Sequence, residues 1–132
     1  MYSGTNAYKK MTEGIVAQTF ALDATTYQPG DWLNLVGNMQ AGYNPAKPSL
    51  GELVTYDQKF QEGVIELPSA KIMNFTVGAT PVPAGGGLVK QGATKNTVIP
   101  AAPGTTETDV PLVIGLALEG GATGAVIRVL VK

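Results

Sequence analysis

The chain has 132 residues, of which 14% are charged and 44% are hydrophobic, and its net charge is −1. This composition fits a folded domain, excludes wholesale disorder, and makes nucleic acid a poor partner because there is no basic excess. Cysteine and histidine are absent, which removes disulfides, thiolate metal sites and the commonest general base.

The elements, taken in chain order, are short β-like runs separated by turn residues. β-Branched residues are abundant, Gly and Pro number 17 and 9, and no segment of a dozen residues has a clean helical period. This pattern predicts an all-β fold, either a small β-barrel or a β-sandwich. The predicted strands cover residues 14–22, 32–36, 53–56, 64–67, 72–77, 88–90, 97–99, 112–118 and 125–131.

The start of the chain, MYSGTNAYKK, is polar and lacks the apolar run of a signal peptide. We expect it to begin an extended N-terminal arm, so that residues 1–27 hold the arm and the first strand while residues 28–132 form a single β domain. No run is long enough to span a bilayer, so we expect synthesis in a cytoplasm and no membrane partner. Long surface loops are expected over residues 41–50 and 101–110.

The glycine-rich stretch GGGLVKQGATK, residues 85–95, is similar at first sight to a phosphate-binding loop. Such a loop needs Lys directly after its last Gly, whereas Ala93 follows Gly92, so a tight turn that leads into a strand is the better interpretation. The stretch PAGGGLVKQG, residues 83–92, also echoes PGDWLNLVG, residues 29–37. Because the match needs a gap, it predicts two similar turns rather than a repeat.

The last hairpin of the chain shows clear alternation. In AVIRVLVK, we expect Ile127, Val129 and Val131 to face the core, and Arg128 to face solvent or a partner. The preceding loop, EGGATG, has the glycines that a tight connection requires.

The carboxylates and aromatic residues are scattered along the chain. TETD, residues 106–109, lacks the Gly and the downstream Glu of a calcium loop, so no metal site and no cofactor are predicted. An enzyme that uses two carboxylates is the least favoured interpretation. Trp32 and the tyrosines either form a stacking surface for sugars or bases or, as we favour, Trp32 caps the core and the tyrosines lie at its edge or at interfaces.

The C-terminal stretch, residues 81–132, resembles a known family. It contains PAGGGLVKQG, a turn of Pro, Ala and Gly before a short strand, then VIPAA, and finally VIGLALEGGATGAVIRVLV, two apolar runs around a small-residue loop. These motifs are similar to those of the head-decoration, or capsid cement, proteins of tailed bacteriophages.

The resemblance implies a structural virion protein with no catalytic activity. It would bind the outer surface of the phage head, bridge subunits of the major capsid protein and associate with its own copies as a dimer or trimer. The alternative expectation is a carbohydrate- or host-binding β module on a virion or cell surface. The residues expected to contact the capsid are Tyr2, Tyr8, Lys9, Lys10, Trp32, Tyr43, Thr106 and Arg128.

Overall fold

The computed structural model describes residues 16–67, 71–101 and 112–131, and these residues form ten β-strands. They include no helix that is long and apolar enough to cross a membrane. The all-β prediction is therefore confirmed. The strands are β1 (Val16–Leu22), β2 (Trp32–Gly37), β3 (Gln40–Gly42), β4 (Ser49–Asp57), β5 (Glu62–Leu67), β6 (Lys71–Val77), β7 (Gly87–Gln91), β8 (Thr97–Pro100), β9 (Val113–Ala117) and β10 (Val126–Val131).

The strands form two closed barrels that follow one another along the chain. The first barrel has the strand order β1-β3-β2-β4-β5, and the second has the order β6-β8-β7-β9-β10. In each barrel the first strand is parallel to the third and antiparallel to the fifth, which closes the sheet. The same five-strand topology therefore occurs twice.

Six buried interior positions of the first barrel correspond to buried positions of the second. The parallel pair Leu22 and Ala41 in the first barrel corresponds to Val77 and Val98 in the second. Burying one aliphatic side chain of this kind contributes about 1.5–3 kcal/mol, so these positions supply much of the stability. The equivalent buried pairs are Phe20 and Phe75, Leu22 and Val77, Leu33 and Val89, Ala41 and Val98, Leu53 and Ala117, and Ile65 and Val129.

Two equivalent glycines allow strands to approach closely at the same place in each barrel. A β-carbon on Gly51 would lie 2.2 Å from the carbonyl oxygen of Glu66, and one on Gly115 would lie 2.1 Å from that of Leu130. Neither position has room for a side chain without movement of the neighbouring backbone. The repeated requirement for glycine supports the equivalence of the two barrels.

The echo between residues 29–37 and 83–92 lies on equivalent strands, because β2 and β7 are the second strands of their barrels. The two turns are thus corresponding parts of a duplicated fold. As expected, the glycine-rich stretch forms a tight turn before a strand: Gly85 and Gly86 have φ of 91° and 79°, values that favour glycine, and β7 begins at Gly87.

The predicted division at residues 27 and 28 falls inside the first barrel. Phe20 and Leu22 of β1 and the following Tyr27 all belong to the buried core of that barrel. The chain instead passes from one barrel to the other between Leu67 and Lys71, so residues 28–132 span parts of two barrels. Residues 1–15 of the predicted arm segment, residues 1–27, lie outside the described residues.

The last hairpin has the predicted form. Strands β9 and β10 pair in antiparallel fashion, and Ile127, Val129 and Val131 are each at most 2% exposed. Arg128 points outward, and Gly124 in the connecting loop has a φ of 92°. Of the two long loops expected, the first is shorter because β3 and β4 occupy its ends, and residues 102–110 of the second lie outside the described residues.

Candidate interaction surfaces

The barrels contact each other through the start of β2 and the hairpin between β7 and β8. Asp31 accepts hydrogen bonds from Lys95 Nζ at 3.0 Å and from Asn96 Nδ2 at 3.1 Å. The side-chain oxygen of Asn96 accepts the backbone N–H of Trp32 at 3.0 Å. The tip of the second barrel's hairpin is thus attached to the first barrel by side-chain and backbone groups together.

Two buried amide side chains form the centre of this contact. Asn34 Nδ2 donates to Gln91 Oε1 at 2.6 Å, and Gln91 Nε2 donates to Asn34 Oδ1 at 3.0 Å. Asn34 has no exposed surface and Gln91 is 4% exposed. Because each amide satisfies the other away from water, losing either one leaves a buried polar group without its partner.

Trp32 lies in the core of the second barrel although it belongs to a strand of the first. It is 1% exposed, its ring meets Phe75 edge-on with centroids 5.7 Å apart, and its Nε1 donates to Ser49 Oγ at 2.5 Å. The interpretation of Trp32 as a core cap agrees with this geometry. Its assignment as a capsid contact does not, because a buried indole offers no surface to a partner, and the same burial removes it from any sugar-stacking surface.

The tyrosines described here mostly connect loops. Tyr43 is half-buried; its hydroxyl donates to the carbonyl oxygen of Thr94 at 2.7 Å and also contacts that of Gly92, and burial raises the pKa of Tyr43 to about 12. The Tyr27 hydroxyl donates to Asp23 at 2.7 Å and accepts the backbone N–H of Tyr43 at 2.8 Å. Tyr43, expected at the capsid, therefore ties the first barrel to the hairpin of the second.

A charged cluster lies on the outer face of the first barrel. Glu52 and Glu66 are directly opposite each other on β4 and β5, an arrangement that is repulsive without a cation. Lys71 Nζ lies 3.1 Å from Glu52 and 2.8 Å from Glu66, and the hydrogen bond to Glu66 raises the pKa of Lys71. The first residue of the second barrel thus neutralises a carboxylate pair of the first.

Arg128 keeps its guanidinium at the surface, with its side chain 65% exposed. Its Nε lies 2.8 Å from Glu119 Oε2, and its backbone N–H donates to the same oxygen at 2.9 Å. The hydrogen bonds from Arg128 lower the pKa of the Glu119 carboxyl. Its contact with a capsid stays a prediction.

The outer face of the second barrel carries a band of aliphatic side chains that sequence analysis did not identify. Leu88 is opposite Leu116, Leu116 is opposite Leu130, and Leu130 is opposite Ile72, so the band crosses four adjacent strands. We call these four residues the aliphatic row. Leu130 is half-buried, while Leu88, Leu116 and Ile72 are 40%, 37% and 58% exposed. Contiguous exposed apolar surface of this kind marks contact sites more often than scattered single residues do.

A shallow depression of about 490 Å³ lies on the first barrel, over β1, β4 and β5. Asp57 and Glu62 face each other there in the strand register. Hydroxyl, amide and carboxylate groups in its lining can hydrogen-bond a hydroxylated ligand. Among the described residues, no group of three or more His, Cys, Asp or Glu is placed to hold a metal ion. The lining residues are Thr19, Thr55, Tyr56, Asp57, Gln58, Glu62, Gly63 and Val64.

The structure leaves several predicted contact residues unplaced. It brings Trp32 and Tyr43 together at the contact between the barrels and places Arg128 on a different surface, the outer face of β10. Alternation along β7, β9 and β10 was the sequence signal that could have identified the aliphatic row. Residues outside the described part are Tyr2, Tyr8, Lys9, Lys10 and Thr106.

Comparisons of the sequence with protein-family models and with curated proteins found no match.

Proposed function

We propose that this chain is a capsid decoration protein. It binds the outside of a tailed-phage head, bridges neighbouring subunits of the major capsid protein and stabilises the shell without catalytic turnover. The observation that carries the proposal is the pair of barrels with one topology, joined in one chain. Two similar bodies at a fixed spacing suit a ligand that repeats across a lattice, because simultaneous weak contacts multiply in strength.

The stretch that resembles decoration proteins coincides with a structural unit. Residues 81–132 contain β7 to β10, which are four of the five strands of the second barrel. The small residues of the motif have structural roles there, as at Gly115, where a side chain would meet the backbone of Leu130. The resembling stretch therefore supplies most of one barrel and is more than a run of similar composition.

The low charge of the chain indicates how it would hold the shell. With 14% charged residues, contacts would rest mainly on apolar and backbone groups. Screening by salt acts chiefly on exposed charges, so added salt should change affinity little. Each copy would leave a fully occupied lattice slowly, since several contacts must break together.

The test is co-sedimentation of the purified chain with undecorated heads, followed by heating of the heads over a range of salt concentrations. We expect bound protein and a higher bursting temperature at every salt concentration, with an unrelated folded protein of similar size as the control. Heads that burst at the same temperature with and without the chain would contradict the proposal. If the protection is lost at moderate salt, the capsid would still be the partner, but contact through apolar groups would be refuted.

A carbohydrate-binding function is the second candidate, and the polar depression beside Tyr56 favours it. Because Trp32 is buried, this function would depend on the depression alone. Glycan binding by the isolated chain that is lost in Asp57→Asn and retained in the exposed variant Asn74→Ala would favour it over decoration.

A further inference from the structure

The contact inside the chain joins two different kinds of surface. The first is the outer face of a barrel's second and fourth strands, which we call the receiving face; in the first barrel it includes Trp32 and Asn34. The second is the hairpin between a barrel's second and third strands, which we call the hairpin tip; in the second barrel it includes Gln91 and Asn96. The tip of the second barrel covers the receiving face of the first.

The receiving face of the second barrel is not covered by the rest of the described chain. The interior equivalence of Leu33 and Val89 places Leu88 at the position of Trp32. In the same way, Leu116 and Leu130 occupy the positions of Glu52 and Glu66. Leu88 and Leu116 of the aliphatic row therefore lie on the second barrel's receiving face, and they are 40% and 37% exposed.

The hairpin tip of the first barrel is exposed in the same way. Leu35 pairs with Ala41 as Gln91 pairs with Val98, so Leu35 corresponds to Gln91. Met39 corresponds to Asn96, since both have positive φ and both accept a backbone hydrogen bond from the equivalent residue of the barrel's first strand. Leu35 is 36% exposed and Met39 is 52% exposed.

The first barrel's hairpin tip and the second barrel's receiving face both carry exposed apolar side chains. Inside the chain, the contact combines the buried indole of Trp32 with an amide pair and the ion pair between Asp31 and Lys95. Four of the equivalent positions are apolar, Leu35 and Met39 on the tip and Leu88 and Leu116 on the receiving face, whereas Lys90 takes the position of Asn34. Joining the tip to the receiving face would bury apolar surface on both sides, which is favourable at about 25 cal/mol per Å² before the entropy of association is counted.

We propose that a second copy of this chain docks its first-barrel hairpin tip onto the aliphatic row, repeating between chains the contact that joins the two barrels within one chain. The occupant is a second copy because the interface continues one that the chain already makes. Such a contact joins unlike surfaces, so every added copy again offers a free tip and a free row. Assembly grows as a filament or ends when a ring closes.

The inference concerns the free chain and does not depend on the proposed function. A chain that assembles but does not bind heads would refute decoration alone. A chain that protects heads as a monomer would refute the assembly alone.

The experiment is sedimentation velocity of the full chain from micromolar to near-millimolar concentration. We expect the wild type to associate as concentration rises, and Met39→Glu and Leu116→Glu each to remain monomeric. Both side chains are exposed, so an unchanged unfolding midpoint should accompany the loss. Phe60→Glu is the matched control, because Phe60 is 65% exposed and lies in neither surface.

Mixing the two variants tests the pairing of unlike surfaces. The Met39→Glu chain retains its row and the Leu116→Glu chain retains its tip, so an equimolar mixture should form dimers that do not grow further. A wild type that stays monomeric throughout would overturn the proposal. Assembly that survives both substitutions, or a mixture that fails to associate when the wild type does, would overturn it as well.

Discussion

Val129 and Val126 lie on the same strand and differ in their surroundings. Val129 has no exposed surface, while Val126 is 64% exposed on the opposite face of β10. We expect Val129→Ala to lower the free energy of unfolding by about 2 kcal/mol, because the lost contacts leave a cavity in the second barrel. Val126→Ala should stay within about 0.5 kcal/mol of the wild type. Urea unfolding measures both, and equal midpoints for the two variants would contradict the assignment of the faces.

Tyr43 makes stability depend on pH at the alkaline end. Burial favours the neutral hydroxyl, so its pKa in the folded chain is about 12 against an ordinary value of 10.0. The contribution of the neutral Tyr43 hydroxyl to the free energy of unfolding is therefore complete below pH 10 and is lost as pH rises from about 10 to about 12. Across that interval, we expect the free energy of unfolding of the wild type to fall more steeply than that of Tyr43→Phe. Urea midpoints that decline in parallel for the two proteins would show that Tyr43 ionises normally.

At the scale of elements, the buried amide pair of β2 and β7 links the two barrels. We expect Asn34→Ala to destabilise the chain by about 1–3 kcal/mol, because the buried side-chain oxygen of Gln91 loses the Asn34 amide that donates to it. The double variant Asn34→Ala, Gln91→Ala should cost less than the sum of the two single variants. Asn74→Ala, on an exposed position of β6, is the control. Additive effects in this double-mutant cycle would mean that the amides act independently.

The strands were largely predictable because β-branched runs and Gly or Pro boundaries are local signals. The strand that was not predicted, β3, has three residues, Gln40 to Gly42, and is held mainly by its neighbours. The duplication was visible only as a faint echo, because equivalent interior positions keep hydrophobic character while changing residue, as in Ala41 and Val98. Pairing between β2 and β7 depends on how two closed barrels pack, and no local pattern in the sequence specifies it.

At the scale of the whole molecule, both barrels are closed by strands that begin at Val16 or later, so residues 1–10 supply none of these strands. Deleting residues 1–10 should therefore leave the thermal midpoint nearly unchanged. If the arm contacts the capsid, as Tyr2, Tyr8, Lys9 and Lys10 were predicted to do, the same deletion should weaken co-sedimentation with heads. Calorimetry and sedimentation measure the two effects separately. A large fall in the midpoint would place the segment within the fold instead.

The position of Trp32 has a consequence for the order of events during synthesis. Each barrel is built from a continuous length of chain, so the first barrel can close once Leu67 has left the ribosome. The indole of Trp32 belongs to the core of the second barrel, and it stays in water until β6 to β10 have closed around it. Because Trp32 is the single tryptophan, the fluorescence of the chain changes when the second barrel folds and changes little when the first barrel folds.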